Sequence, residues 1–185
     1  MSSLAAAAAE SKSDLFLLDL GSGASPRYGH KGVDLYPGVG VTYVVDLEAY
    51  PWPWEDSSVD GVTSNHLVEH VRDLPAFMAE LWRVCKPGAT VEISHPYQFN
   101  VRAWQDPTHV RALNEISWFY FDAKWRGNRP EFGASDFELV ELDAVPEENW
   151  KEMAADHPED FERACRNQIN VVSDLRVTLR CRKDA

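Results

Sequence analysis

Residues 17–23 read Leu17-Leu18-Asp19-Leu20-Gly21-Ser22-Gly23, and this stretch decides the fold. A short apolar run bounded by turn residues is how a buried parallel strand reads. Two glycines one residue apart then let the backbone approach a ligand where a Cβ would collide. A glycine pair also ends many ordinary strands, so the weight falls on three segments farther along the chain. Gly32-Val33-Asp34-Leu35 is a second short apolar segment with a carboxylate near its end. Val41–Asp46 is a third, again ending in Asp and followed by Leu47. Val59–Ser64 is a fourth, followed by Asn65-His66-Leu67-Val68-Glu69-His70. Strands whose C-terminal ends carry polar groups at one edge of a parallel sheet form a ligand crevice.

The chain has 185 residues, which suits one domain with a substantial core. Its formal charge of -12 disfavours nonspecific binding to duplex nucleic acid or to an anionic membrane. No apolar run approaches the length of a membrane span. Residues 1–14 lack the charged start and long apolar stretch of a signal peptide, and are expected to be a flexible segment ahead of a single domain over 15–185. Cys85, Cys165 and Cys181 are odd in number and form no CxxC, which suits a reducing cytoplasm and argues against disulfides or a thiolate zinc site.

Beyond the four strands, Leu74, Phe77, Met78, Leu81 and Trp82 recur at helical spacing, predicting a helix over Leu74–Cys85 ended by Lys86-Pro87-Gly88. Ala89–Ser94 reads as a fifth strand. Phe137–Val145 and Asn170–Cys181 read as two more, paired antiparallel, with the polar stretch Pro146–Arg166 partly helical between them. Only eight residues separate Gly23 from Gly32, too few for a crossover helix with its turns. The expected architecture is a compact, Rossmann-like α/β fold: a mostly parallel sheet, an antiparallel C-terminal strand, and shortened first crossovers.

The ordered set resembles the class I S-adenosylmethionine-dependent methyltransferases, especially the small type-11-like group. LLDLGSG matches the first motif of that family, GVDL the second, whose acid binds ribose hydroxyls, and VVDLE the third, near the adenine. SSVDGVTSNHLVEHVRDL and FMAELWRVCKPGATVEIS resemble its fourth-strand, helix and fifth-strand region. The resemblance spans about residues 15–94. It departs at Ala24-Ser25-Pro26, where many such loops carry a third glycine. It implies S-adenosylmethionine as cofactor, held by Asp19, Gly21, Gly23, Asp34, Leu35, Asp46, Leu47, Ser64 and His66. A carboxylate such as Asp34 suits a ribose diol because it accepts two hydrogen bonds. Asp19 suits the cationic amino-acid end.

Three rival readings remain. A dinucleotide fingerprint wants GxGxxG and an acid about 20 residues on; here Pro26 holds the third position and Asp34 comes too soon. His66-Leu67-Val68-Glu69-His70 matches an HxxEH zinc-hydrolase pattern, which on a helix would put both histidines on one face. No third ligand is marked by spacing, and no metal site is expected. A cofactor-binding subunit without catalysis is the third.

The acceptor question falls on an insertion at about 97–135, aromatic and locally basic. It holds Tyr97, Phe99, Trp104, Trp118, Phe119, Tyr120, Phe121 and Trp125 among Arg102, Arg111, Lys124, Arg126 and Arg129. It reads equally as a lid over a small-molecule or nucleotide-like acceptor and as a satellite core rimmed by arginines. Where an acceptor must lose a proton, a histidine works near neutral pH. The candidates are His95 and His109, with Asp106 as orienter.

Overall fold

A computed structural model describes residues 15–183; the segment expected to be flexible, 1–14, lies outside them. Seven strands form one sheet: β1 (Leu17–Leu20), β2 (Lys31–Asp34), β3 (Val41–Val44), β4 (Val59–Asn65), β5 (Cys85–Pro96), β6 (Phe137–Pro146) and β7 (Val172–Cys181). Their order is β3-β2-β1-β4-β5-β7-β6. The first five are parallel, and β7 runs antiparallel to both β5 and β6. The expected mostly parallel sheet with an antiparallel C-terminal end is therefore what forms.

The crossovers explain how a short chain builds it. Residues 21–30 link β1 to β2 and residues 35–40 link β2 to β3, both without a helix. So tight a return needs backbone on backbone. A Cβ at Gly32 would stand 2.6 Å from the Gly40 carbonyl oxygen, so only glycine fits. The loop 45–58 returns to β4 and inserts Trp52 and Trp54 into the core, where Trp52 meets Phe77 edge-on at 5.3 Å. Helix α1 (Leu74–Val84) supplies polar anchors for the backbone around these two buried tryptophans. Glu80 accepts from the Trp52 amide at 2.6 Å, while Arg83 donates to the carbonyls of Trp52 (3.2 Å) and Trp54 (2.9 Å) and to Glu80 (2.6 Å). Arg83 holds the Glu80 carboxyl below the usual carboxylate range.

Helix α1 starts where the sequence reading puts it, and one of its boundaries differs. Residues 66–70 form a turn, and α1 begins at Leu74, where Asp73 accepts from the Ala76 amide at 3.0 Å. His66 and His70 therefore do not share a helical face. At its other end α1 stops at Val84. Cys85 already pairs with Val59, and the chain shifts register around Gly88 (φ +81°) before Thr90 pairs with Gly61.

Along β5 and β7 buried and outward residues alternate, so Val91, Ile93, Leu175, Val177 and Leu179 face the core. The other face carries Glu92, Thr178, Arg176, Glu141 and Asp143, with Arg27 paired to Glu92. Such one-sided burial is ordinary for antiparallel strands. The insertion folds as α2 (Arg102–Gln105), α3 (Glu115–Phe119) and α4 (Ala123–Arg126); α5 (Lys151–Asp156) and α6 (Pro158–Asn167) follow β6.

Candidate active site

The C-terminal ends of β1, β2 and β3 meet at a cleft of about 200 Å³ lined by Gly21, Asp34, Leu35, Val45, Asp46, Leu47, Glu48, Leu67, His70 and Val71. Gly21 sits at φ +69°, with Leu67 so near that a Cβ would lie 3.1 Å from its Cδ1. The amides of Gly21 and Ser22 both donate to the Val33 carbonyl, at 2.9 and 3.1 Å, which ties the loop to β2.

Asp34 is the pivot. One carboxylate oxygen accepts from the Gly23 amide at 2.9 Å, and the other from the Tyr36 amide at 3.1 Å. Each oxygen keeps a second lone pair, so two acceptor sites remain at fixed spacing. Asp46, just beyond the neighbouring strand, accepts from the Glu48 amide at 2.9 Å and also lines the cleft. Leu35, Leu47 and Leu67 supply apolar surface between them.

Other expected cofactor residues lie elsewhere. Asp19 is 4% exposed, does not line the cleft, and accepts from the Arg27 amide at 2.7 Å, bracing the glycine loop from beneath. Ser64 is buried on β4, also off the cleft lining, and its hydroxyl has no partner. His66 stands at φ +52°, in the left-handed region. That turn places its ring between two acids: Nδ1 lies 3.3 Å from Glu69 and Nε2 3.4 Å from Asp174. The Glu69 carboxylate foremost, with Asp174 behind it, raises the His66 pKa above the usual histidine value.

The two candidate bases part company. His95 has no exposed surface; its Nδ1 contacts the Pro96 carbonyl at 2.9 Å and its Nε2 accepts from the Trp118 indole at 3.1 Å. Burial pushes its pKa down. With both nitrogens engaged it can take no proton from an acceptor. The structure makes it a packing partner of Trp118 rather than a base. His109 instead is nearly buried beside His70, with Nδ1 3.1 Å from the Ala103 carbonyl and Nε2 without a hydrogen bond, 4.0 Å from Asp106. Asp106 accepts from the Thr108 hydroxyl at 2.7 Å and amide at 2.8 Å, which holds its carboxyl below the usual range.

The aromatic segment divides too. Tyr97, Trp118 and Phe121 join the core, whereas Phe99, Trp104 and Trp125 remain exposed. Its arginines are partly spoken for. Arg102 pairs with Asp174 at 3.1 Å, and Arg126 donates to the carbonyls of Ser135 and Gly133. Sequence reasoning missed Asp174, which reaches the site from β7; one acid on a C-terminal strand carries no local signal.

Comparison with known proteins bears on the family and the fold. A profile of the family described as a methyltransferase domain matches residues 3–93. A probable S-adenosylmethionine-dependent methyltransferase of Mycolicibacterium smegmatis is 34% identical over 83 residues, which is 43% of this chain but only 31% of that protein. Among solved structures, an S-adenosylmethionine-dependent methyltransferase from Archaeoglobus fulgidus superposes with a TM-score of 0.62 at 18% identity, covering 90% of this chain and 86% of that one. The [4+2]-cyclase SpnF superposes at 0.58 with 14% identity, covering 92% and 75%. At such identities the likeness is one of fold, and the cyclase shows that one fold hosts more than one chemistry.

Proposed function

The chain belongs to the class I S-adenosylmethionine-dependent methyltransferases, type-11 group, and on that premise we propose that it transfers a methyl group to a small-molecule acceptor, a nucleobase or nucleotide being the second choice. The observation that carries the reading is Asp34. Its two oxygens are each fixed by one backbone amide and each left with one lone pair toward the cleft. A ribose diol presents two hydroxyl donors at matching spacing. Leu35, Leu47 and Leu67 suit a flat base beside it, and Asp46 or the backbone next to it suits the edge of that base.

S-adenosylmethionine supplies a methyl group already activated on a sulfonium. The protein's share is alignment and exclusion of water, which in favourable intramolecular cases lowers a barrier by ~7–11 kcal/mol. The glycine loop, braced by Asp19, positions the cofactor side. His66, Asp174, Arg102 and the Asp106–His109 turn form a polar basin beside it, where an acceptor is oriented. His109, with Asp106 near it, is the group available to an acceptor that must lose a proton. Among the described residues no helix is long and apolar enough to cross a membrane, and a cytoplasmic setting fits the three free thiols.

Calorimetric titration with S-adenosylmethionine, and with its demethylated product, tests this. Micromolar binding is expected, weakened about 10- to 100-fold in Asp34→Ala, or about 1–3 kcal/mol for a lost charged hydrogen-bond partner. A folded protein that binds neither ligand overturns the reading. Binding without transfer of labelled methyl to any acceptor points instead to a cofactor-binding subunit.

A further inference from the structure

Glu69 is 2% exposed, and neither of its carboxylate oxygens has a hydrogen-bond partner. His66 Nδ1 lies 3.3 Å from one of these oxygens, Oε1. A carboxylate so stripped of water is costly, and a single neighbouring imidazole leaves room for a further cation or a metal. Glu69 is also one corner of a cluster. It, His70 and His109 each offer one ligand atom, and all three atoms lie within 4.8 Å of one another. The backbone locks the two loops that bring them together, through the Val110 amide and the Glu69 carbonyl at 2.9 Å.

The surroundings set the tautomers. Thr108 has one hydroxyl proton and donates it to Asp106 at 2.7 Å, so at its 3.0 Å contact with His70 the Nδ1–H must be the donor. His109 faces the Ala103 carbonyl with Nδ1 at 3.1 Å, and a carbonyl only accepts. Both rings are therefore held with Nδ1 protonated, which leaves Nε2 as the free lone pair of each. The two rings pack edge to face at 4.6 Å between centroids. Histidines whose far nitrogen is tied to a carbonyl, or to a hydroxyl backed by a carboxylate, are in the state that metal ligands adopt.

We propose that Glu69, His70 and His109 bind one divalent transition-metal ion. Two neutral imidazoles and one carboxylate suit Zn²⁺, Mn²⁺ or their neighbours better than Ca²⁺ or Mg²⁺, which prefer all-oxygen sites. Bonding distances to such an ion are ~2.0–2.2 Å, so binding draws the three side chains together. Three protein ligands leave at least one position for water or another oxygen. His70 lines the cofactor cleft as well, so the ion stands at the border between cofactor and acceptor. With an ion on Nε2, His109 holds metal rather than a proton. The sequence pattern His66-x-x-Glu69-His70 thus contributes Glu69 and His70, with His109 from a distant turn in place of His66.

The test is calorimetric titration of the chelator-treated full chain with ZnCl₂ and, separately, MnCl₂. One ion per chain at micromolar or tighter affinity is expected with at least one of them. His109→Ala and Glu69→Gln should each weaken it at least tenfold. Because Glu69 is buried and its variant can fail to fold, His109→Ala decides alone if circular dichroism shows Glu69→Gln unfolded. No saturable binding, or binding equal to the parent's in a folded His109→Ala, overturns the proposal. S-adenosylmethionine is titrated into the metal-free protein in parallel. A chain that binds the cofactor but no metal loses this site and keeps the methyltransferase reading, and the reverse result does the opposite.

Discussion

The cofactor side and the acceptor side of the ligand edge are assembled on different scales. On the cofactor side the deciding hydrogen bonds are local: Asp34 accepts from an amide 11 residues away, and Asp19 from one 8 residues away. On the acceptor side Thr108 meets His70 across 38 residues, and Arg102 meets Asp174 across 72. The first side forms as soon as two neighbouring strands pair. The second exists only when β7 has added to β5 and the insertion has closed over the strand ends. Local geometry is carried by backbone amides and is insensitive to distant change. The acceptor side depends on side chains from three parts of the chain, the 66–70 turn, the 102–109 segment and β7.

Substitutions can break this contrast or sharpen it. The largest effect is expected on the cofactor side, at Gly32→Val. The new side chain meets the Gly40 carbonyl, which a Cβ alone would approach to 2.6 Å, and overpacking against backbone should cost about 3 kcal/mol in chemical denaturation. A loss below about 1 kcal/mol would mean that the six-residue return yields, and that the cofactor side is softer than its hydrogen bonds imply.

His95→Ala comes next and tests the other side. It leaves the Trp118 indole unpaired in a closed interior and should cost about 2 kcal/mol. The folded fraction should retain methyl transfer within about threefold once an acceptor is known. A collapse of turnover at unchanged stability would return His95 to the chemistry.

The smallest effect, about 1 kcal/mol, concerns pH and the crossover 45–58. Arg83 holds the folded Glu80 below the ordinary carboxylate value. Its contribution is therefore fully present above the unfolded value of about 4.3. It is lost as pH falls from there through the depressed folded value. Unfolding free energy followed by denaturant titration from neutral pH into this acid range should show that loss in the parent chain and not in Glu80→Gln. Equal slopes in the two would show that the loop's polar anchor is energetically idle.

The same difference of scale governs what the sequence made legible. Strands β1, β2 and β4 announce themselves as apolar runs ending in turn residues, and α1 by its stripe of Leu74, Phe77, Met78 and Leu81. Asp34 and Asp46 were legible because their positions at strand ends are local facts. Asp19 was equally legible as a strand-end acid, yet whether it points to a ligand or to the Arg27 amide depends on how the loop folds back. His95 and His109 look alike in the sequence. Only the approach of Trp118 from the insertion seals one and spares the other. Asp174 has no neighbour in sequence that marks it, since its role comes from β7 joining β5. The helix boundary at Cys85 was misplaced because Lys86-Pro87-Gly88 reads as a helix stop, whereas the strand begins before it and bulges through it.

The left-handed turn at His66 has a consequence for anyone who would evolve this chain. A residue bearing a β-carbon gives up roughly 1–2 kcal/mol in that conformation, which glycine adopts freely. Selection for heat resistance alone would therefore favour glycine at this codon, and with it would go the ring that stands between Glu69 and Asp174. On the proposed function, in which His66 helps orient the acceptor, selection for turnover would pull the other way. At position 66 the two screens are rivals, and a library scored only by melting temperature would steadily enrich folded proteins with a dismantled ligand edge.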